Sequence, residues 1–228
     1  MSIIKELSAR WRSAGIEKDD TLLLHSDIRR LLIEFKKRKI KILAEDILES
    51  FLHSLGSNGT LILPIFNFDF IKGKTFDIKK TVSKMGLLSE KGRLYKDSIR
   101  TGHPVYSFSV IGHQSKIFKN VDNKSAYSNQ SPFGILRKIN GKIGVLDLDD
   151  QNSMTFYHHI EEVNQVEYRY FKSFTGGYID KNGKNEIKTY TIYVRDLKRG
   201  IITNVNPAGE LLWKNDLYKG DRPRRNTG

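Results

Sequence analysis

Thr21-Leu22-Leu23-Leu24-His25 is a short apolar run of the kind that forms a buried strand, and Gly59-Thr60-Leu61-Ile62-Leu63 is a second. Between them Leu43, Ile47, Phe51 and Leu55 recur every four residues on one helical face, and Gly56 stands where a left-handed C-cap ends a helix. The order is strand, helix over roughly 42–55, strand. A helix threaded between buried strands is the unit of layered α/β domains.

The same alternation continues on both sides. Upstream, Ile3, Ile4, Leu7 and Trp11 predict a helix over 3–14 that stops at Gly15. Downstream, the segment from Pro64 to Arg100 lacks periodicity, and Phe66, Phe68, Phe70 and Phe76 within it argue for an ordered, functional loop. Tyr106 to Ile111 alternates like a strand, and Ser131-Pro132 opens a short helix ending near Lys138. Lys142 to Leu148 reads as a strand, and a helix starting near Asn152 or Ser153 holds Thr155 to Val163. Tyr178-Ile179-Asp180 and Ile187 to Val194 flank an Asn182-Gly183 turn and predict a β-hairpin. The whole reads as one domain over 1–228, with an antiparallel addition from about residue 166.

Composition narrows the chemistry. In 228 residues, 39 Lys+Arg stand against 26 Asp+Glu, a formal charge of +13, and 38% of residues are hydrophobic, enough for a sizeable core. There is no cysteine, which excludes disulfides, thiolate zinc sites and covalent catalysis through sulfur. No run approaches the ~18 apolar residues of a membrane span, and the amphipathic start is unlike a signal peptide, so a soluble, cytoplasmic chain is expected. The basic excess fits a nucleic-acid surface, an anionic membrane or small polyanionic ligands. Its densest run is Lys36-Lys37-Arg38-Lys39-Ile40-Lys41, with Arg222, Arg224 and Arg225 in the tail. Such runs are commonly solvated faces. A basic nucleic-acid-binding module is the reading from another class, but no nucleic-acid motif accompanies the charge.

The richest constellation is Thr155-Phe156-Tyr157-His158-His159-Ile160-Glu161-Glu162. On a helix His158 meets Glu161 or Glu162, and His159 meets Glu162. A carboxylate beside an imidazole can fix its tautomer so that the other nitrogen accepts a proton, as a general base requires. A solvated ion pair and a metal site stand beside that reading, although H-E-x-x-H spacing is absent. Leu146-Asp147-Leu148-Asp149-Asp150 reads as an Asp-rich turn in preference to a Mg²⁺ site. Neither Walker A nor G-x-G-x-x-G occurs.

Taken together, His25-Ser26, then Gly59-Thr60-Leu61 with Pro64 and Phe66, then Phe76-Asp77 with Thr81 to Glu90, then Arg100 with His103-Pro104 and Ser107, then Ser131-Pro132-Phe133-Gly134 resemble the aminoglycoside 3-N-acetyltransferase family. Thr155 to Glu161 is similar to that family's T-S-x-H-x-A-E signature. The resemblance implies a three-layer α/β/α sandwich with a central mixed sheet, here carrying a C-terminal antiparallel hairpin. It implies transfer of an acyl group from acyl-coenzyme A to a sugar amine without a metal, with His158 as base and Glu161 as its partner. The turn after the first strand offers Ser26, Asp27 and Arg29 to coenzyme A, with Ser83, Lys84 and Ser107 as further candidates. Phe66, Asp69, Thr155, Phe156 and Tyr157 are candidates for the acceptor pocket.

The chain departs from the signature at Phe156, where the family has Ser or Thr, and at Tyr157 and His159, which replace apolar residues. From Tyr168 to Asp221 it looks like the bacterial nucleotide-sugar branch. That branch implies a thymidine-diphosphate-linked 3-amino-3,6-dideoxyhexose as acceptor, used for O-antigen, lipopolysaccharide or capsule, and acetyl- or 3-hydroxybutyryl-coenzyme A as donor. Charge points the same way, because a chain at +13 repels polycationic aminoglycosides and attracts both polyanions. Small-molecule substrates are thus the expected partners, with no nucleic acid and no membrane; a homo-oligomer is compatible with them.

Overall fold

The computed structural model describes residues 2–222; Met1 and the tail residues Arg224 and Arg225 lie outside them. Strand β1 (Thr21–Ser26) is buried on both faces, with Leu22 and Leu24 in one apolar cluster and Leu23 in the other. That makes it the middle of the molecule. It pairs in parallel with β2 (Thr60–Pro64), Thr21 opposite Thr60. Six further strands follow: β3 (Phe76–Asp77), β4 (Ile99–Arg100), β5 (Phe108–Gly112), β6 (Lys142–Leu146) and the hairpin strands β7 (Arg169–Ile179) and β8 (Asn185–Arg195). The central sheet runs β4-β5-β2-β1-β6, with β6 parallel to β1, and β5 antiparallel to both β2 and β4. It is therefore mixed, as expected.

Helices α1 (Ile3–Ser13), α2 (Arg29–Lys37), α3 (Ala44–Leu55) and α4 (Leu87–Arg93) contribute the apolar cluster on one face. Trp11 of α1 stacks on Phe51 of α3 at 4.5 Å between ring centroids, and its indole N–H donates to Ser50 Oγ at 2.7 Å. The opposite face carries the short helices α5 (Ser115–Phe118), α6 (Pro132–Lys138), α7 (Asp150–Ser153) and α8 (Phe156–Val163) and a second sheet, β3-β7-β8. Phe108, Phe133, Tyr178 and Tyr190 are buried in that cluster. The third layer is thus part helix and part sheet. No helix among the described residues is long and apolar enough to cross a membrane.

Several elements differ from the sequence reading. Helix α2 lies partly in the basic run, where only Leu31 and Phe35 mark its buried face. Lys36, Lys37, Lys39 and Lys41 are exposed, and the Arg38 guanidinium lies over the Phe35 ring. The segment 64–100 contains α4, whose Gly92 presses on Leu63: a Cβ there would sit 2.2 Å from Leu63 Cδ1. The helix expected from about 152 to 163 is two helices broken at Met154 and Thr155. The hairpin's first strand reaches back to Arg169, well before the alternation that signals it, and α9 (Asn206–Lys214) was not foreseen.

Helices α1 and α2 are joined by a network in which Glu6 accepts from Arg38 at 2.5 and 2.9 Å and from Arg10 at 2.9 Å, while Arg10 also bonds Glu34. The Arg38 guanidinium draws the Glu6 carboxyl down to about 2. A depressed carboxylate stabilises the fold above its unfolded value and loses that contribution as pH falls through its folded value. Glu6→Gln is expected to cost about 1 kcal/mol near neutral pH, the scale of an exposed network. In urea titrations the gap from wild type should close as pH falls from about 4.5 towards about 2. A gap independent of pH would show that the carboxylate charge is not what matters.

Candidate active site

Strands β1, β2 and β6 run parallel and end on one edge of the sheet, at Ser26, Pro64 and Leu146. Antiparallel β5 begins there, with Phe108 opposite Pro64, and the pairing extends beyond the strands through Ile65 N–H to Ser107 O and Asn67 N–H to Val105 O, both 3.0 Å. The carboxyl edge of parallel strands is where α/β sheets place their ligands. A cleft of about 410 Å³, within the usual size of a small-molecule site, lies beside Tyr106, just before β5. His158, Thr155, Tyr106, Tyr127 and Asp150 line it from the central domain, and Arg169, Tyr193 and Arg195 line it from the hairpin.

At its centre His158 Nδ1 lies 2.7 Å from Glu161 Oε2, one helical turn along α8. The same oxygen is 2.9 Å from Arg169 Nε, and Glu161 Oε1 accepts from the Tyr168 hydroxyl at 3.1 Å. Arg169, only 4% exposed, also donates to the Tyr193 carbonyl at 3.0 Å. Burial by itself raises the Glu161 carboxyl, but the hydrogen bond with His158 and the charge of Arg169 outweigh it and hold it below the usual carboxylate range. An ionised carboxylate only accepts, so at 2.7 Å Nδ1 carries a proton, and in the neutral ring Nε2 keeps the lone pair. Arg169 Nη2 also lies 3.1 Å from Nδ1, but Nδ1 cannot accept from it in this tautomer. The Tyr127 ring packs beside the imidazole at 5.1 Å.

The neighbouring signature residues turn elsewhere. His159 is buried and its Nδ1 donates to the Tyr127 carbonyl at 2.6 Å; burial lowers its pKa. Glu162 accepts from Ser125 Oγ at 2.8 Å, and burial raises its carboxyl. Phe156 packs against Phe133 and His159, and the Tyr157 hydroxyl lies 3.5 Å from that of Tyr218. Only Thr155 and His158 of the helix reach the cleft wall. The Asp-rich turn is a turn: Asp149 caps α7 through Asn152 N–H at 3.0 Å, and Asp150 accepts from Tyr218 at 2.6 Å. Among the described residues no group of three His, Asp or Glu is placed to hold a metal ion.

The coenzyme candidates separate. Ser26 and Asp27 stand at the strand edge, and Arg29, with a side chain 83% exposed, pairs with Asp27. An exposed guanidinium suits phosphate oxygens such as those of coenzyme A. Lys84 Nζ is 2.5 Å from Asp69, and Ser83 Oγ accepts from Met85 N–H. Ser107 differs from expectation: it has no exposed surface, and its hydroxyl accepts from Arg100 Nε at 3.2 Å, so it anchors that arginine. Phe66 is likewise core, edge-on to Tyr106 and Phe108. Sequence reasoning missed Tyr106, Tyr127, Tyr168, Arg169 and Arg195. Arg169 precedes no visible pattern, and only its position opening a strand close after Glu161 could have drawn notice.

The family model described as aminoglycoside 3-N-acetyltransferase matches residues 23–217. Among solved structures, the YokD protein from Bacillus subtilis is 20% identical over 91% of this chain and 87% of its own, with a TM-score of 0.75. AAC-IIIb, solved as a binary complex with CoASH, is 16% identical over 97% of this chain and 99% of its own, with a TM-score of 0.73. AAC-VIa bound to sisomicin is 18% identical over 84% and 76%, with a TM-score of 0.69. At such identities the likeness is one of fold. Comparison with curated proteins finds no match.

Arg169 is the test of this geometry. Arg169→Met leaves the Glu161 charge without its buried partner and should destabilise the protein by about 3 kcal/mol in urea unfolding. A loss below about 1 kcal/mol would mean that solvent already neutralises Glu161.

Proposed function

The chain belongs to the aminoglycoside 3-N-acetyltransferase family, whose members are acyl-coenzyme A-dependent N-acetyltransferases, and on that premise we propose that it acylates the amine of a thymidine-diphosphate-linked 3-amino-3,6-dideoxyhexose. The observation that carries the reading is His158, fixed by Glu161 and Arg169 with Nε2 turned from its partners, on the wall of the cleft. The donor is acetyl- or 3-hydroxybutyryl-coenzyme A, the chain works as one domain in the cytoplasm, and the product serves O-antigen, lipopolysaccharide or capsule.

Acyl-coenzyme A supplies a thioester carbonyl already activated for attack. His158 Nε2 takes the proton from the acceptor nitrogen as the N–C bond forms, then returns it to the sulfur as the C–S bond breaks. Glu161 holds Nδ1–H and balances the imidazolium, and Arg169 keeps Glu161 ionised at neutral pH. Direct transfer agrees with a chain that has no cysteine to carry an acyl group. Tyr106 lines the cleft, backed by the buried Tyr127, and its ring suits a sugar face. Ser26 and Arg29 are the residues we assign to coenzyme A.

Aminoglycoside acetylation is the second reading, favoured by a fold like that of AAC-VIa bound to sisomicin. The charge of +13 opposes it, since a polycation is repelled on approach.

His158→Asn should lower turnover by ~10²-fold or more with the fold retained, and Glu161→Gln by less. Thiol release at saturating substrates measures both, and near-wild-type turnover in His158→Asn would remove it as the base. His159 is too deeply packed to serve as a neutral control. A second assay compares acceptors. Efficient thiol release is expected with thymidine-diphosphate amino sugars and little with kanamycin or gentamicin; comparable efficiency on the antibiotics would overturn the acceptor while leaving acyl transfer standing.

A further inference from the structure

Arg169 and Arg195 are directly opposite in the register of the β7–β8 hairpin, and both line the cleft. Like charges facing each other across strands are unfavourable unless neutralised. Arg169 has Glu161. Arg195 has no carboxylate within 4.0 Å among the described residues, and its guanidinium donates only to Thr203 Oγ1, at 2.9 Å. The two nearby acids are committed elsewhere. Asp196 Oδ1 accepts from Lys198 N–H at 3.1 Å. Asp150 gives Oδ1 to Tyr218, and its Oδ2 lies against Gly209, where an added Cβ would come within 1.7 Å of it. Burial also raises the Asp150 carboxyl, which weakens it as a counter-charge.

Among the described residues Arg195 is thus a cleft cation without a carboxylate partner, on a wall that also includes Leu197, Thr203 and Val205. From this juxtaposition we infer that Arg195, with Thr203, is the residue pair that receives the diphosphate of the acceptor and so selects a nucleotide-linked amino sugar over a free one. The inference deepens the acceptor reading above and rests on it. A guanidinium fork suits the paired oxygens of a diphosphate, and a hydroxyl already oriented by that guanidinium can share them. Coenzyme A carries a diphosphate too. The β1 turn with Ser26 and Arg29, the coenzyme candidates, does not line this cleft, which separates the two anions in space.

The experiment is calorimetric titration of thymidine diphosphate, and separately of coenzyme A, into the full chain, Arg195→Gln and Arg195→Lys. Wild type should bind thymidine diphosphate, Arg195→Gln about tenfold or more weakly, and Arg195→Lys in between, because it keeps the charge and loses the fork. Coenzyme A affinity should not move. Unchanged thymidine diphosphate binding in Arg195→Gln overturns the inference, as does no binding in wild type or a loss confined to coenzyme A. If wild type binds thymidine diphosphate through Arg195 but releases no thiol with the amino-sugar nucleotide, the anion site stands and the acceptor reading fails.

Discussion

One carboxylate ties helix α8 to the start of the β7–β8 hairpin. Glu161 sits on a helix that packs against α6, and three groups converge on it: His158 from the same helix, and Tyr168 and Arg169 from the start of the hairpin. Such a group is tolerable inside a protein only when paired, and pairing it fixes the distance between helix and hairpin. The cleft is the space left between the elements so joined. Its chemistry follows from the same constraint, since the carboxylate that holds the hairpin also dictates which nitrogen of His158 carries a proton.

The sheet gathers several turns of the chain at one edge. Because β1, β2 and β6 are parallel, their carboxyl ends deliver the turns after Ser26, Pro64 and Leu146 to one edge. Antiparallel β5 brings Tyr106 to the same edge from the opposite direction. The short α7 and the break at Met154 and Thr155 then let α8 begin there, with His158 in its first turn. The excess positive charge is divided between two surroundings: Lys36, Lys37, Lys39 and Lys41 are solvated on the far side of the helical layer, whereas Arg195 faces the cleft.

What was legible in the sequence was what periodicity encodes. The buried strands at 21 and 60, the helix between them and the Ser131-capped helix have short-range signals, and the structure has them within a residue or two. Helix α2 was hidden because cations occupy most of its surface and only two apolar residues are buried. The early half of β7 escaped because its side chains are largely exposed, so no alternation marks it. In the site, His158 and Glu161 were readable as a helical pair, whereas Arg169 and Arg195 reach it through pairing between strands, which spacing along one strand does not disclose. Ser107 looked like a ligand group because a hydroxyl in a motif says nothing of its burial.

The account turns on the tautomer of His158. Two-bond proton–nitrogen correlation spectra of the imidazole, recorded where the ring is neutral, measure it directly. The structure predicts the proton on Nδ1, donated to Glu161, with Nε2 bearing the lone pair that the proposed base requires. A proton on Nε2, with Arg169 donating to Nδ1, would contradict the account, because the nitrogen left for proton transfer would then have no lone pair with which to accept.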